Sequence, residues 1–261
     1  MVLIRHELRQ GRASFVIWTT VVAMLLAVCI FIFPQMQDGM EGMSEMFASM
    51  GGFTEAFGMD RINFGTFIGF YAVECGNILG LGGALYAALF SVGALAKEEQ
   101  GHTAEFLLAH PLSRGRVAAE KLAAVMIGVL TFNICVYVVA IVSTILCGEK
   151  VPFKEITLLH FAYLLMQLEI AGICFGISAF MRRGTAGVGL GAAILMYFFN
   201  LIANLSKSAE FLRYITPFAY ADGADIVSLK KLDVGLICLG MIYAVLGIAA
   251  AFTKYRRKDI I

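Results

Sequence analysis

Long apolar segments separated by short polar ones dominate the pattern of the 261-residue chain. A helix that crosses a bilayer needs about 20 mainly apolar residues, and the apolar segments have about that length. Because a backbone in hydrocarbon must satisfy its own hydrogen bonds, each segment is predicted to be a helix. The predicted spans cover residues 15–33, 74–96, 122–146, 157–180, 185–205 and 232–253. The pattern therefore predicts an all-α membrane protein with six transmembrane helices in a single transmembrane domain, residues 1–261.

Two of these boundaries depend on single features of the chain. Pro34 follows the first apolar segment and is expected to end its helix, because proline interrupts helical hydrogen bonding. The second apolar block, residues 64–96, would extend about 50 Å as one helix, which is too long for a simple span. Residues 62–73 are therefore expected to form either an outer extension or a re-entrant piece.

Composition excludes an ordinary soluble domain. Hydrophobic residues make up 60% of the chain and charged residues 15%, against about 45–50% and about 25% in soluble domains. The basic residues are distributed unevenly, and cytoplasmic segments of membrane proteins are enriched in lysine and arginine. With both termini in the cytoplasm, 13 of the 20 basic residues lie in cytoplasmic segments. The predicted topology is therefore N-in and C-in.

The densest polar stretch is the segment Lys97–Lys121, which we call the polar island. A short helix is predicted from Glu98 to Ala109, with a break at Pro111 and a new helix capped by Ser113. That helix would carry Lys121 to the membrane edge, where a lysine can extend towards water. On composition alone, the island is either a solvated loop or a surface whose carboxylates contact a basic partner. The carboxylates concerned are Glu98, Glu99 and Glu105.

The island resembles the first cytoplasmic loop of the ABC-2 family, which consists of six-span permease subunits of ABC exporters. In that family the loop contains an acidic residue, Gly, Thr, Glu, two leucines, Pro, Ser, Arg and then Lys. The matching residues are Gly101, Thr103, Glu105, Leu107, Leu108, Pro111, Ser113, Arg114 and Lys121. His102 stands where several members carry serine or threonine. The order of six spans, the basic N-terminus and the basic tail also resemble the family.

The resemblance implies a mechanism and a set of partners. Two copies of the permease subunit would pair as a homodimer. Each copy would dock on a separate ATP-binding subunit through a coupling helix in the island. The implied docking residues are Glu98, Glu99, Gly101, Thr103, Glu105, Pro111, Ser113, Arg114 and Lys121. ATP and Mg would be bound by the partner, so the chain itself needs no cofactor and no catalytic residue. Residues 1–14 resemble an N-terminal interfacial helix, whose arginines would face lipid headgroups in the plasma membrane of a bacterial-type cell.

Polar residues inside the predicted spans are candidates for a translocation path, because charge in hydrocarbon is costly. Glu74 and Asn77 are three residues apart and share a helical face, and Glu169 lies in the fourth span. The alternative for each is an ordinary hydrogen bond between helices. If Glu74 and Glu169 carried protons, the chain would be an ion-coupled secondary transporter, which is the alternative function.

Other chemistry is not indicated by the sequence. No phosphate-binding loop, metal-ligand spacing or catalytic constellation occurs, so we expect neither an enzyme, nor a metal site, nor a nucleic-acid partner. A face of methionines in residues 36–50 predicts a short outer amphipathic helix, lying on lipid or a partner subunit or binding Cu(I). Closely spaced glycines at 172 and 176, and at 184–191, predict tight helix packing or a hinge. The apolar spans favour hydrophobic or amphipathic cargo such as a peptide, a lipid or a drug.

Overall fold

The computed structural model describes residues 2–49, 51–101, 113–182 and 185–258. This part of the chain is helical and contains no strand, so the predicted all-α fold is confirmed. The α-helices are α1 (Val2–Gln10), α2 (Arg12–Ser49), α3 (Gly52–Ala56), α4 (Phe67–Val92), α5 (Lys97–Gln100), α6 (Arg114–Leu146), α7 (Phe153–Ser178), α8 (Ala186–Leu205), α9 (Gly223–Leu229) and α10 (Val234–Arg257). Two 3₁₀ segments, Lys207–Tyr214 and Pro217–Ala221, connect α8 to α9.

In the described part of the chain, six helices are long and apolar enough to cross a membrane: α2 over Arg12–Met36, α4, α6, α7, α8 and α10. The helix predicted to begin after Ser113 is confirmed, and in α6 it is continuous with the span predicted from residue 122. The Ser113 hydroxyl caps it by accepting a hydrogen bond from the Arg116 backbone N–H at 3.3 Å. α10 is capped in the same way by Asp233. The described residues place α1, the two ends of the polar island and the C-terminal residues together at one end of the bundle, which we call the island end.

Pro34 does not end the first spanning helix, contrary to the expectation from sequence. α2 continues through Pro34 to Ser49, so the expected separate outer helix is a continuation of the span. Proline cannot donate to the carbonyl four residues earlier, and the Cys147 thiol donates to that Ile30 oxygen instead, at 3.3 Å. Desolvation, followed by the charge of Glu149, raises the pKa of Cys147 and keeps this thiol protonated as a donor.

The second spanning helix begins at Phe67, seven residues before the predicted start. Thr66 caps it by accepting a hydrogen bond from the Gly69 backbone N–H at 3.2 Å. A π-helical turn over Tyr71–Cys75 joins its first turn to the regular helix. Residues 67–73 are therefore part of one spanning helix, which ends at Val92 before Gly93.

α7 lies at the centre of the bundle, where 67% of its most apolar window is buried, compared with 17% for α2 and for α10. Gly176 contacts the backbone of Gly247 in α10 so closely that an added Cβ would lie 2.8 Å from it. Gly189 of α8 packs equally closely against Ala88 and Val92 of α4. Both glycine clusters thus contain positions of tight helix packing.

The outward faces of the peripheral spans are apolar. On α6, exposed side chains recur every three or four residues, which is the spacing of one helical face. They are Ile127, Leu130, Ile134, Val138, Val142 and Ile145. Exposed apolar stripes of this length suit contact with lipid chains, as expected for helices that cross a membrane.

Candidate functional site

Lys121 occupies the centre of a buried polar site beneath the island. Its Nζ donates to Glu7 Oε1 at 3.0 Å, to the Ala94 carbonyl at 2.7 Å, and to the Glu98 carboxylate. An ammonium has three N–H donors, so every one is used. The side chain is fully buried, which corrects the expectation that Lys121 extends to water at the membrane edge.

Lys97 completes this site from the other end of the island. Its Nζ donates to the second carboxylate oxygen of Glu7, and it donates to Gln10 Oε1 at 2.7 Å. We call Glu7, Lys97, Glu98 and Lys121 the Lys121 cluster. It contains two ammonium groups and two carboxylates, so their charges balance. Buried charges are tolerated only when they are paired and hydrogen-bonded, and this pairing joins α1, α5 and α6.

A second set of contacts ties the island to the C-terminal residues. Lys258 Nζ pairs with Glu99 Oε1 at 2.7 Å and donates to the Met181 carbonyl at 2.7 Å. Arg114 donates to the carbonyl oxygen of Lys258. Both ends of the island are therefore fixed to the bundle, one through α5 and the other through the start of α6.

The other residues predicted for docking are only partly described. Of the helix predicted from Glu98 to Ala109, the described residues contain one turn, α5, with Gly101 as its C-terminal cap; the Gly101 N–H donates to the Lys97 carbonyl at 2.9 Å. The remainder of that predicted helix lies outside the described residues. Thr103, Glu105 and Pro111 lie outside the described residues. Glu98 and Glu99, which were expected to face a partner, already pair with lysines of this chain. Their part in docking stays a prediction.

Among the residues predicted for a translocation path, Asn77 lines a cavity. Its Nδ2 donates to the Val73 carbonyl at 2.8 Å, and its Oδ1 accepts from the Tyr197 hydroxyl at 3.2 Å. The cavity, of about 40 Å³, is also lined by Tyr163, Asn200 and Asp222. A polar space of this size holds only one or a few waters, so in this conformation it is not an open path.

Glu74 and Glu169 do not join Asn77 at this cavity. Glu169 is buried between α7 and α10, where an added Cβ on Gly240 would lie 2.0 Å from its carboxylate. Desolvation, followed by the nearby charge of Glu169, raises the pKa of Tyr220. Among the described residues, neither the Tyr220 hydroxyl nor either Glu169 carboxylate oxygen has a hydrogen-bond partner. The geometry thus separates the three predicted residues, and their role in transport stays a prediction.

The far end of the bundle carries a polar network that the sequence analysis missed. Arg61 donates through Nη1 to Asp225 at 2.5 Å and through Nη2 to Asp222 at 3.2 Å. Asp222 also accepts from Asn204 Nδ2 at 3.0 Å, and Arg213 pairs with Asp225 at 3.2 Å. We call these five residues the Arg61 network. It joins the segment between α3 and α4 to the end of α8, the segment that follows α8, and the start of α9.

Comparison with known families decides which kind of protein has this architecture. The model of the ABC-2 family transporter protein matches residues 1–260, almost the whole chain. The chain belongs to the ABC-2 transporter family. No curated protein matches the chain.

Family membership fixes the general role of the molecule. An ABC-2 chain is a membrane component of an ABC-type transporter and is not itself catalytic, and the family generally acts with an ATP-binding subunit. In keeping with six spanning helices, this ABC-2 chain is a multi-pass membrane protein. Within the described residues, no group of three or more His, Cys, Asp or Glu side chains is arranged to hold a metal ion.

A sequence signal for the Arg61 network existed in this ABC-2 chain. Arg61 is the only basic residue in segment 34–63, among five carboxylates. Asp222 precedes an apolar helix and caps it, accepting from the Ala224 N–H at 3.0 Å. Burial alone would lower the pKa of the Arg61 guanidinium, but the charges of Asp222, Asp225 and Asp60 outweigh it and raise that pKa. In the sequence, the isolated arginine and the capping aspartate are separate signals. Only the fold shows that they form an ion pair.

Proposed function

We propose that this chain is the permease subunit of an ATP-driven exporter and that the polar island docks on a separate ATP-binding subunit. The observation that carries the proposal is the Lys121 cluster. A force applied to the island reaches α6 through Lys121, the segment just after α4 through the Ala94 carbonyl, and α1 through the contacts of Lys97 and Lys121 with Glu7. A solvated loop would need no buried anchorage of this kind at its base.

The six spans are proposed to cross the plasma membrane of a bacterial-type cell. The island end is proposed to face the cytoplasm of that cell. The support is the convergence of α1, both ends of the island and the C-terminal residues at one end, since those segments carry most of the basic residues. ATP and Mg would bind to the partner alone. The cargo is proposed to be hydrophobic or amphipathic, such as a peptide, a lipid or a drug.

Replacing Glu105 with Arg tests the docking proposal. We expect the variant to insert normally but to bind the ATP-binding subunit about tenfold more weakly, the equivalent of about 1.4 kcal/mol, because a carboxylate facing a basic surface is reversed. Association is measured by co-purification from cells that express both chains, and coupling by ATPase activity in reconstituted vesicles.

The matched control is Glu210→Arg, the same charge reversal at an exposed carboxylate beyond α8, at the far end. It should leave association and ATPase activity unchanged. Equal association of the Glu105 variant and the unsubstituted chain would contradict docking through the island. Transport that persists without any ATP-binding subunit and follows a proton gradient would instead favour the ion-coupled alternative.

A second copy of the chain is proposed to pack against α8. Gly187 and Gly191 of α8 are exposed, and an added Cβ on either would meet nothing within 4 Å in this chain. Exposed Leu195, Phe198 and Ile202 continue the same helical face. A pair of glycines four residues apart allows close approach of a neighbouring helix in lipid, so this face suits a homodimer.

We expect the double substitution Gly187→Leu and Gly191→Leu to weaken dimerisation by about tenfold, because two large side chains would hold the helices apart. Subunit exchange between differently labelled copies in detergent measures the effect. Gly93→Leu is the control, since a side chain there also meets open space but lies outside α8. An unchanged dimer in the double variant would place the interface elsewhere.

A further inference from the structure

An apolar groove of about 210 Å³ opens beside the junction of α1 and α2, against α4 and α6. We call it the N-terminal groove. Its apolar lining includes Leu8 and Phe15 near the α1–α2 junction, Phe90 of α4 and Ile127 of α6. A cavity of this size with apolar walls does not hold water stably and takes up apolar ligands. Ile127 is 41% exposed on the outward face of α6, so the groove is accessible to lipid chains.

A basic strip borders this groove. Arg12 is part of its lining and is exposed, and Arg5 and Arg9 are exposed on the preceding helix α1. Arginines next to an apolar groove match the charge of a lipid phosphate, and basic pockets between spanning helices bind anionic headgroups. The strip and the groove together fit a ligand with an anionic head and an apolar chain.

A buried hydroxyl supplies a second, independent indication of a ligand. Tyr86 is 1% exposed and lines the groove, and its hydroxyl has no hydrogen-bond partner among the described residues. The ring is held by stacking on Phe132, with centroids 4.8 Å apart. A buried hydroxyl without a partner is unfavourable, and an ester carbonyl of a bound lipid would accept its proton.

We propose that the N-terminal groove binds one anionic phospholipid from the surrounding leaflet. An acyl chain would occupy the space between Phe15, Phe90 and Ile127. The ester region would accept the hydrogen bond of Tyr86, and the phosphate would pair with Arg12. This inference depends on the chain spanning a membrane and is independent of ATP coupling, so the two proposals can fail separately.

The single tryptophan of the chain provides the probe. Trp18 lies three residues after Phe15 and therefore on the same side of α2. Lipids with brominated acyl chains quench tryptophan fluorescence on contact. The purified chain is placed in vesicles of zwitterionic lipid that contain a low, equal fraction of brominated phosphatidylglycerol or brominated phosphatidylcholine. We expect the anionic lipid to bind about fivefold more tightly than the zwitterionic lipid. One arginine near an anionic headgroup contributes about 1 kcal/mol, which corresponds to that ratio of affinities.

Substitutions then test the parts of the site. Arg12→Gln should abolish the anionic preference, and Tyr86→Phe should weaken quenching by the anionic lipid while the ring stays packed. Thr131→Phe, at an exposed edge of the groove, should fill the space and reduce the quenching by the anionic lipid. The matched controls are Arg257→Gln, at an exposed arginine of α10, and Val138→Phe, farther along the exposed face of α6. Both controls should retain the preference.

Equal quenching by the two brominated lipids would overturn the proposal. So would a preference that survives both Arg12→Gln and Thr131→Phe, because bulk lipid around α2 would then account for it. A disulfide formed between two copies of a Thr131→Cys variant in the same vesicles would place a second chain in the groove and would also overturn the lipid assignment.

Discussion

Replacement of Lys121 with Met is expected to lower the free energy of unfolding by about 3–5 kcal/mol, which is the usual cost of removing one partner from a buried charge pair. Lys121 is fully buried, and its loss leaves Glu98 without its ammonium partner and Glu7 with Lys97 alone. The Ala94 carbonyl also loses its donor. Unfolding of the purified chain in a fixed detergent, followed by the loss of helical signal on heating, measures the change relative to the unsubstituted chain.

Lys254→Met is the matched control, because Lys254 is exposed in the last turn of α10 at the same end of the bundle. A surface substitution of this kind changes stability by about 0.5 kcal/mol or less. The double variant Lys121→Met with Glu98→Gln should be more stable than Lys121→Met alone, since the unpaired carboxylate becomes neutral. If Lys121→Met costs no more than Lys254→Met, the buried cluster does not anchor the island.

Replacement of Arg61 with Met is expected to cost about 2–3 kcal/mol, because hydrogen bonds to charged groups each contribute about 1.5–3 kcal/mol. Arg61 joins two aspartates on a segment far along the chain. Asp222 keeps its bond from Asn204 and its capping contact with Ala224, so the loss is smaller than for Lys121. The same thermal measurement applies, with limited proteolysis of the segments at the far end as a local readout.

Arg213→Met provides the comparison within the same network. Arg213 makes a single ion pair with the residues that the structure describes, to Asp225 at 3.2 Å, and its side chain is about as exposed as that of Arg61. Its removal should cost about 1 kcal/mol or less, as for a partly exposed ion pair. Equal costs for the two arginines would show that Arg61 does not join the two segments.

Much of the architecture could be predicted because it depends on neighbouring residues. The length of each apolar block decides that it can cross a bilayer, and Ser113 caps α6 through an N–H three residues away. The helix boundaries were less predictable. Pro34 lies inside α2, where a thiol from the end of α6 donates to the Ile30 carbonyl that the proline leaves without a backbone donor, and no local pattern contains that contact.

The candidate site likewise has features that the sequence could predict and features that it could not. The island could be recognised from its own residues, and Glu98, Arg114 and Lys121 do lie at its anchored ends. That Lys121 is buried rather than extended to water depends on Glu7, which is 114 residues earlier. Asn77 lines a cavity, whereas Glu74 and Glu169 do not. The rotation of each helix about its axis within the bundle decides which side chains line the same cavity.

The sequence by itself determined the class of this protein: its six spans, its helical character and its membership of a transporter family. These depend on hydrophobic length, on composition and on a short motif, all of which are local along the chain. Only the tertiary structure decided which charges pair. Arg61 lies 161 and 164 residues from its two aspartates, and buried charges must find partners wherever packing of the helices places them.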